Sequence, residues 1–346
     1  MKQEIRIIYL ERMIQPNDNT FKYYFYFIQE RMNIFWKKCD SNTKIFTTDP
    51  ILNDNKFTNV YRACDRVSQY LIKDVIYDHQ KGLNEKDILL RILIFKIFNK
   101  IDTWEYLEKN VGTISASNFK LKEINALLSK RILETPIFSN AYMMTGTHSK
   151  YNHLQYKHEK WLQMVKTELL EGGVFEKIIK AKSMEEVYLT LRSISFIGDF
   201  LAYQYTIDMN YSPVLDFSED SFVKAGIGAI RGIKKCFEPL GKSSLEDAIR
   251  YTHDNFESLQ LKYGFTEFQD LWGRKPRLID LQNCFCETDK YLRAKMPELM
   301  VDNKRIKQKY KPSKESIKLF FPPKWELNDK IGNTCIQKNT QGLIPF

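Results

Sequence analysis

The sequence predicts an all-α fold, with two helical lobes around a basic cleft. Three observations carry this. Apolar residues recur at helical spacing along almost the whole chain, strand-like alternation is nowhere sustained, and no segment repeats at a fixed period. The 346 residues are 43% hydrophobic and 14% aromatic, enough apolar material for a packed core and enough length for two lobes. Glycine and proline are few and no tract is biased, which argues for order over most of the chain.

The first helix is expected over 21–38 (FKYYFYFIQERMNIFWKK), where aromatic residues lie all round and call for burial. Residues 57–77 (FTNVYRACDRVSQYLIKDVIY) read as a helix with one apolar face. Residues 87–100 (DILLRILIFKIFNK) read as the next, with a new start near Thr103. Helical spacing continues through 118–134 and 154–182, broken at Gly172-Gly173. Helices over 184–194, 199–209 and 221–237 form the centre of the second half, followed by helices over 244–262 and 278–294. The segment 136–153 (PIFSNAYMMTGTHSKYNH) has little helical signal and is expected to join the lobes and wall the cleft. Beyond about 295 the chain turns basic and proline-containing (KRIKQKYKPSKES, then FFPPKW). It reads as an extended tail that either touches phosphate or is a solvated charge run. The expected domains are an N-terminal lobe 1–150, a C-terminal lobe 151–300 with the catalytic carboxylate, and a tail 301–346.

Lys and Arg number 53 against 43 acidic residues, a formal charge of +10. Such an excess suits a polyanionic partner, since each neutralised phosphate releases counterions. It equally suits a lysine-rich soluble protein with no such partner. The six cysteines (Cys39, Cys64, Cys236, Cys284, Cys286, Cys335) are scattered, and only Cys284 and Cys286 are close. All six are expected to be reduced thiols, and no metal site is expected. The start, MKQEIRIIYLERMI, is too charged for a signal peptide, and no apolar run is long enough for a bilayer. A cytoplasmic monomer is expected.

Three segments could carry chemistry. In 193–237, Gly198 precedes one helix and a turn at Asn210–Pro213 delivers Asp216. The run DFSED (216–220) is placed to cap the next helix, which is punctuated by Gly226, Gly228 and Gly232. Interior glycines weaken a helix by about 0.5–1 kcal/mol each, so close approach by another helix or by a DNA backbone must favour them. Lys224, Arg231, Lys234 and Lys235 on the same element are candidate phosphate contacts. The plain alternative is Asp216 as a helix cap and the glycines as tight packing. In the second segment, Thr58, Arg62, Asp65, Arg66 and Gln69 share one helical face. Either an internal ion pair or a phosphate contact explains them. The third, DLQNCFCETDKYLR (280–293), crowds amides and carboxylates that suit reading a base edge, or else a salt-bridge network. His148 reads as a loop residue facing solvent. There is no G-x-x-x-x-G-K-[ST] loop, no dinucleotide fingerprint and no H-E-x-x-H, so no cofactor is expected.

The segments TTDPILNDNKFTNVYRACDRVSQYLI, RILIFKIFNK, GDFLAYQYTIDMNYS, EDSFVKAGIGAIRGIKK and DLQNCFCETDKYLR together resemble the alpha-glutamyl/putrescinyl thymine pyrophosphorylase family. The related helical domain of hydroxymethyluracil DNA kinases is similar too. The resemblance runs from about residue 20 to about 325. It implies a helical fold related to helix-hairpin-helix DNA glycosylases, acting on modified pyrimidines in phage or anti-phage settings. In those glycosylases a catalytic Asp follows a Pro-Val pair. Pro213, Val214 and Asp216 match with Leu215 as one extra residue, while Asp208, Glu219 and Asp220 are rivals. The expected base pocket is Asn140, Tyr142, Gln204, Gln282 and Glu287, and the expected DNA contacts are Arg62, Arg66, Lys224, Arg231 and Lys234.

The partner expected from all this is double-stranded DNA with modified bases. The expected activity is that of a glycosylase, a hydrolase that flips out a hypermodified pyrimidine, such as a glucosylated or hydroxymethyl-derived one, and leaves an abasic site. A transferase that displaces pyrophosphate from an activated hydroxymethyl pyrimidine with an amine, and a non-catalytic modified-DNA binder, are the alternatives.

Overall fold

Short polar side chains set where several helices begin. The computed structural model describes residues 14–39, 45–78, 82–140, 144–300, 309, 317–332 and 336–337. Helix α1 is Asp18–Cys39. The Asp49 carboxylate accepts from the Ile51 and Leu52 amides and starts α2, Pro50–Asp54. A short helix α3, Arg66–Tyr70, runs into a wider π-helical stretch at Leu71–Tyr77. Asn84 and Asp87 form a reciprocal capping box at the start of α4, Glu85–Phe98. Then come α5, Ile101–Val111, α6, Leu121–Arg131, and α7, Lys157–Met164, which continues into a second π-helical stretch at Val165–Leu170. Helix α8, Val174–Ile179, follows Gly172-Gly173. Ser183 caps α9, Met184–Arg192, and Gly198 precedes α10, Asp199–Asn210. The remaining helices are α11, Ile227–Cys236; α12, Leu245–Asp254, boxed by Ser244 and Asp247; α13, Phe256–Tyr263; and α14, Leu278–Lys295.

Among the described residues the fold is helical apart from a two-residue antiparallel pair, Ile317–Lys318 with Ile336–Gln337. No helix among them is long and apolar enough to cross a membrane. No three His, Cys, Asp or Glu side chains among them come together as metal ligands. Cys64, Cys236, Cys284 and Cys286 are free thiols, whereas Cys39 is disulfide-bonded, against the expectation that all six are reduced.

The chain divides into two compact units, one formed by residues up to Arg66 together with those from Phe222 onward, the other by Val67–Ser221. The expected division at 150/151 therefore falls inside the second unit. In the first unit, α1 packs on α11 and α14. Phe21 stacks on Phe285 at 6.2 Å, Tyr24 on Phe285 at 4.2 Å, and Phe21 meets Phe237 at 4.7 Å. Each such buried ring contributes about 1.5–3 kcal/mol of transfer free energy as an upper bound. Helix α11 lies so close to α14 that a Cβ added at Gly232 would sit 2.0 Å from the Phe285 carbonyl oxygen, and one at Gly228 would sit 2.2 Å from Cys286 Sγ. Of the two explanations for the glycines, packing against another helix is the one the structure supplies.

In the second unit α4 is buried on all sides from Asp87 onward, including the charged Asp87, Arg91 and Lys96. The fully buried Arg91 donates from Nε to the Val75 carbonyl at 3.2 Å and pairs with Glu108 at 2.5 Å, its guanidinium 4.9 Å from the Trp104 ring. Lys96 donates to Asn99 Oδ1 at 2.8 Å and lies 3.5 Å from Asp208.

Two expected helices differ from what forms. The helix expected over 57–77 begins only at Arg66, after extended chain and a 3₁₀ turn at Arg62–Cys64. The backbone of 57–59 is claimed from outside, since the buried Arg31 guanidinium donates to the Thr58 carbonyl and to Asn59 Oδ1, both at 3.0 Å. The helix expected over 221–237 begins six residues late, at Ile227.

Candidate nucleic-acid site

The expected carboxylates occupy different settings. Asp208 is fully buried on α10 beside Lys96. Asp216 is exposed, and Glu219 and Asp220 are half-buried, all on the irregular segment between α10 and α11. DFSED thus caps no helix. Asn210 holds that segment by donating from Nδ2 to the Phe217 carbonyl and accepting from the Phe217 amide, both at 3.0 Å. Tyr77 donates to the Tyr211 carbonyl at 2.9 Å, and burial followed by the nearby Asp216 charge pushes its hydroxyl up to about 12. Asp216 therefore lies near Tyr77 on a pinned loop.

The other expected residues are also spread. Asn140 is exposed, and Tyr142 lies outside the described residues. Gln204 is buried on α10, while Gln282 and Glu287 are buried on α14 of the other unit. Glu287 accepts from the Thr58 amide at 3.3 Å and from Lys290 at 2.5 Å, and Asn283 donates to Thr58 Oγ1 at 2.9 Å. Arg62 is buried too, and its amide donates to Asp280 Oδ1 at 2.9 Å. Asp65, beside Arg31, Arg62 and Glu287, is raised by burial to about 6. These residues form the internal network that was the plainer explanation for both polar segments. Arg66 and Arg231 are half-buried, Lys224 pairs with Glu246 at 3.2 Å, and Lys234 is exposed. Lys235 pairs with the buried Asp289.

One constellation was not expected. It is built on the six-residue turn, Ser193–Gly198, that joins α9 to α10. The turn lines an open cavity of about 390 Å³ together with His148 and Arg192. Phe196 stands at φ +68°, a left-handed conformation that disfavours a bulky residue. Its ring is fixed by stacking on Trp161 at 5.0 Å and Tyr151 at 5.4 Å and by contact with His148 at 5.1 Å. The His148 Nδ1 accepts from the Lys150 amide at 3.3 Å. Arg192 is exposed and donates from Nε to Asp199 Oδ1 at 2.6 Å, where Tyr188 also donates at 2.9 Å. The N-cap residue of α10 is Gly198, which has no side chain to place over the first turn of that helix.

Glu168 anchors this turn. It accepts from Ser195 Oγ at 2.7 Å, from the Ser195 amide at 3.1 Å, from Tyr151 at 2.5 Å and from Lys150 at 2.9 Å. Burial alone would raise its pKa, but these bonds outweigh it and bring the carboxyl down from 4.5 to about 2. A depressed pKa means stabilisation that is full above about 4.5 and fades as pH falls toward 2. Glu168→Gln is expected to lower stability by about 1–3 kcal/mol at neutral pH. It should also flatten the loss of thermal midpoint between pH 5 and pH 2.5, read by circular dichroism. A variant whose midpoint falls with acid as steeply as the parent's would remove Glu168 from this role. Gly198, which opens α10, and His148 were its visible signs in the sequence, but nothing there joined them to Glu168 or Phe196.

Comparison with known proteins bears on the chemistry. A family model described as "5-hmdU DNA kinase, helical domain" matches residues 18–301. A 5-hmdU DNA kinase of Bacillus phage SP10 is 26% identical over 337 residues, covering 90% of this chain and 52% of the phage protein. The chain thus spans about half the length of that relative. No solved structure matches. These findings overturn the expected base excision: the matching proteins are named for phosphorylation, not for hydrolysis of a glycosidic bond. They equally give no support to amine transfer with loss of pyrophosphate. The physical case for flipping weakens with them, because a 5-substituent of a pyrimidine already lies in the major groove, whereas the glycosidic bond is closed inside the stack.

Proposed function

The chain belongs to the 5-hmdU DNA kinase helical-domain family, and from that premise we propose that it serves the acceptor side of DNA phosphorylation. In this reading it grips DNA that carries 5-hydroxymethyldeoxyuridine and presents the hydroxymethyl group for phosphoryl transfer. The observation that carries the proposal is the family match over residues 18–301. The motif-level resemblance to the thymine pyrophosphorylases supports the same acceptor class, a 5-substituted pyrimidine in DNA, and adds no separate activity.

The α9–turn–α10 unit supports a location. We read it as the hairpin of a helix-hairpin-helix fold, with a phosphodiester seated against the backbone at the start of α10 beside the exposed Arg192. Asp199 offsets the Arg192 charge, so backbone donors carry this contact more than net charge does. The +10 formal charge supports polyanion binding by the chain as a whole.

The test is binding of the full chain to otherwise identical duplexes carrying 5-hydroxymethyldeoxyuridine or thymidine, with label transfer from a γ-labelled nucleoside triphosphate read in parallel. About tenfold preference for the modified duplex is expected, weakening steeply with salt. Arg192→Ala should weaken both duplexes alike, the pattern of a contact to the DNA backbone. Equal affinity for the two duplexes, with no label on either, would overturn the proposal.

A further inference from the structure

Three indoles of the first unit, Trp36, Trp272 and Trp325, remain partly exposed although tryptophan is a large apolar residue. They are organised into one set. Trp36 meets Trp272 edge-on at 4.8 Å, Trp272 meets Phe321 at 6.0 Å, and Phe321 stacks with Trp325 at 5.9 Å. Phe321 is fully buried and touches both Trp272 and Trp325. The Arg274 guanidinium lies 3.7 Å from the Trp325 ring centroid. Lys324 and Lys330 are exposed around the set, and Lys330 Nζ reaches the Trp272 carbonyl at 3.5 Å.

The backbone under Trp272 is strained. Leu271 and Arg274 pair across a two-residue turn, through Arg274 N–H to the Leu271 carbonyl at 3.0 Å and the reverse bond at 3.3 Å. Its central residues are Trp272 at φ +51° and Gly273 at φ +92°. A turn with both central φ positive favours Asn-Gly, and a tryptophan in the first position is sterically costly. The turn therefore holds an indole where its own geometry favours a small polar residue. Strain of this kind persists where the surroundings over-determine it, and it clusters at binding sites.

We infer that Trp36, Trp272 and Trp325, with Arg274, Lys324 and Lys330, form a platform for unpaired bases of a single DNA strand. Every base has a π-face, so indoles spaced among cations bind single strands with little sequence preference: the rings take the bases and the cations take the phosphates. The choice of nucleic acid as occupant rests on the DNA reading above. The platform itself is independent of the modified base, of phosphoryl transfer and of the Ser193–Gly198 turn.

The test uses the full chain and an unmodified oligothymidylate, followed by quenching of tryptophan emission. Saturable quenching that weakens with salt is expected. Trp272→Asn supplies the residue the turn favours while deleting the ring, so thermal stability should hold or rise while affinity falls about tenfold or more. The double variant Lys324→Glu/Lys330→Glu leaves the rings in place and should weaken binding with a shallower salt slope. Absence of quenching in the parent chain, or parental affinity in folded Trp272→Asn, would overturn the platform. Should Trp272→Asn fail to fold, parental affinity in the double lysine variant would do the same. Preferential binding of a proline-rich peptide over the oligonucleotide would also overturn it. Because the probe lacks hydroxymethyl groups, this result stands or falls separately from the duplex-preference test.

Discussion

Asp208→Asn is expected to destabilise the Val67–Ser221 unit by about 3–5 kcal/mol, enough to leave many single domains largely unfolded at body temperature. The Asp208 and Lys96 side chains are 0% and 3% exposed and stand 3.5 Å apart. Lys96 also donates to Asn99 Oδ1 at 2.8 Å, and Asn99 is itself held at φ +49°, just past the end of α4. Removing the carboxylate leaves the Lys96 ammonium in a desolvated site without the counter-charge of Asp208, and a buried charge that loses its counter-charge is among the costliest single defects. The converse change is informative. Lys96→Met together with Asp208→Asn removes both charges and should recover a good part of the loss, since replacing a buried pair costs far less than breaking it. Urea denaturation of the parent, both single variants and the double gives the coupling directly. Single variants that each lose less than about 1 kcal/mol would show the pair to be hydrated and the burial argument to be mistaken. Asp208 was one of the four carboxylates considered for the chemistry, so any activity lost on its replacement must first be measured against this loss of fold.

The residues explain which parts of the architecture could be read from the sequence. Helices α1, α9, α10 and α14 form close to their expected bounds because periodicity and neighbouring turn residues agree. The start of α11 could not be read, because the polar run DFSED looks like a cap and is instead held by Asn210, a tertiary contact. Residues 57–65 have helical spacing, yet Arg31 and Asp65 claim their backbone groups, and such partners are invisible to a local pattern. Arg91 and Lys96 were visible as charges inside the apolar run DILLRILIFKIFNK, but their acidic partners lie on other helices. The Ser193–Gly198 turn was the least legible feature. Its left-handed Phe196 and its anchor Glu168 depend on contacts among α7's extension, the His148 loop and α9, and no spacing rule announces them. The basic excess was legible at once, but not how its members are engaged: Arg62 is buried, Lys224 pairs with Glu246 at the surface, Lys235 pairs with Asp289, and Lys234 is exposed.

Gly232→Ala is expected to cost about 3 kcal/mol or more, although it places the best helix former in a helix interior. Taken alone, the exchange would gain about 0.5–1 kcal/mol from propensity. Against that, the new methyl would sit 2.0 Å from the Phe285 carbonyl oxygen, 2.7 Å from its carbon and 3.2 Å from its Cα. These are backbone atoms in the interior of α14, so relief requires α11 and α14 to separate, and their separation loosens α1, which packs on both. Overpacking of this kind costs about 1–3 kcal/mol when side chains can yield, and more when they cannot. Gly228 provides the control. There the obstacle is Cys286 Sγ at 2.2 Å, a side-chain atom, with Cys286 Cβ behind it at 3.1 Å. Gly228→Ala should therefore lose about 1–3 kcal/mol and regain most of it when combined with Cys286→Ala, whereas no side-chain change at position 285 rescues Gly232→Ala. Thermal unfolding of the four variants separates the two cases. If Gly232→Ala retains parental stability and loses only DNA affinity, the glycines serve a nucleic-acid backbone after all, and the packing explanation for this helix is wrong.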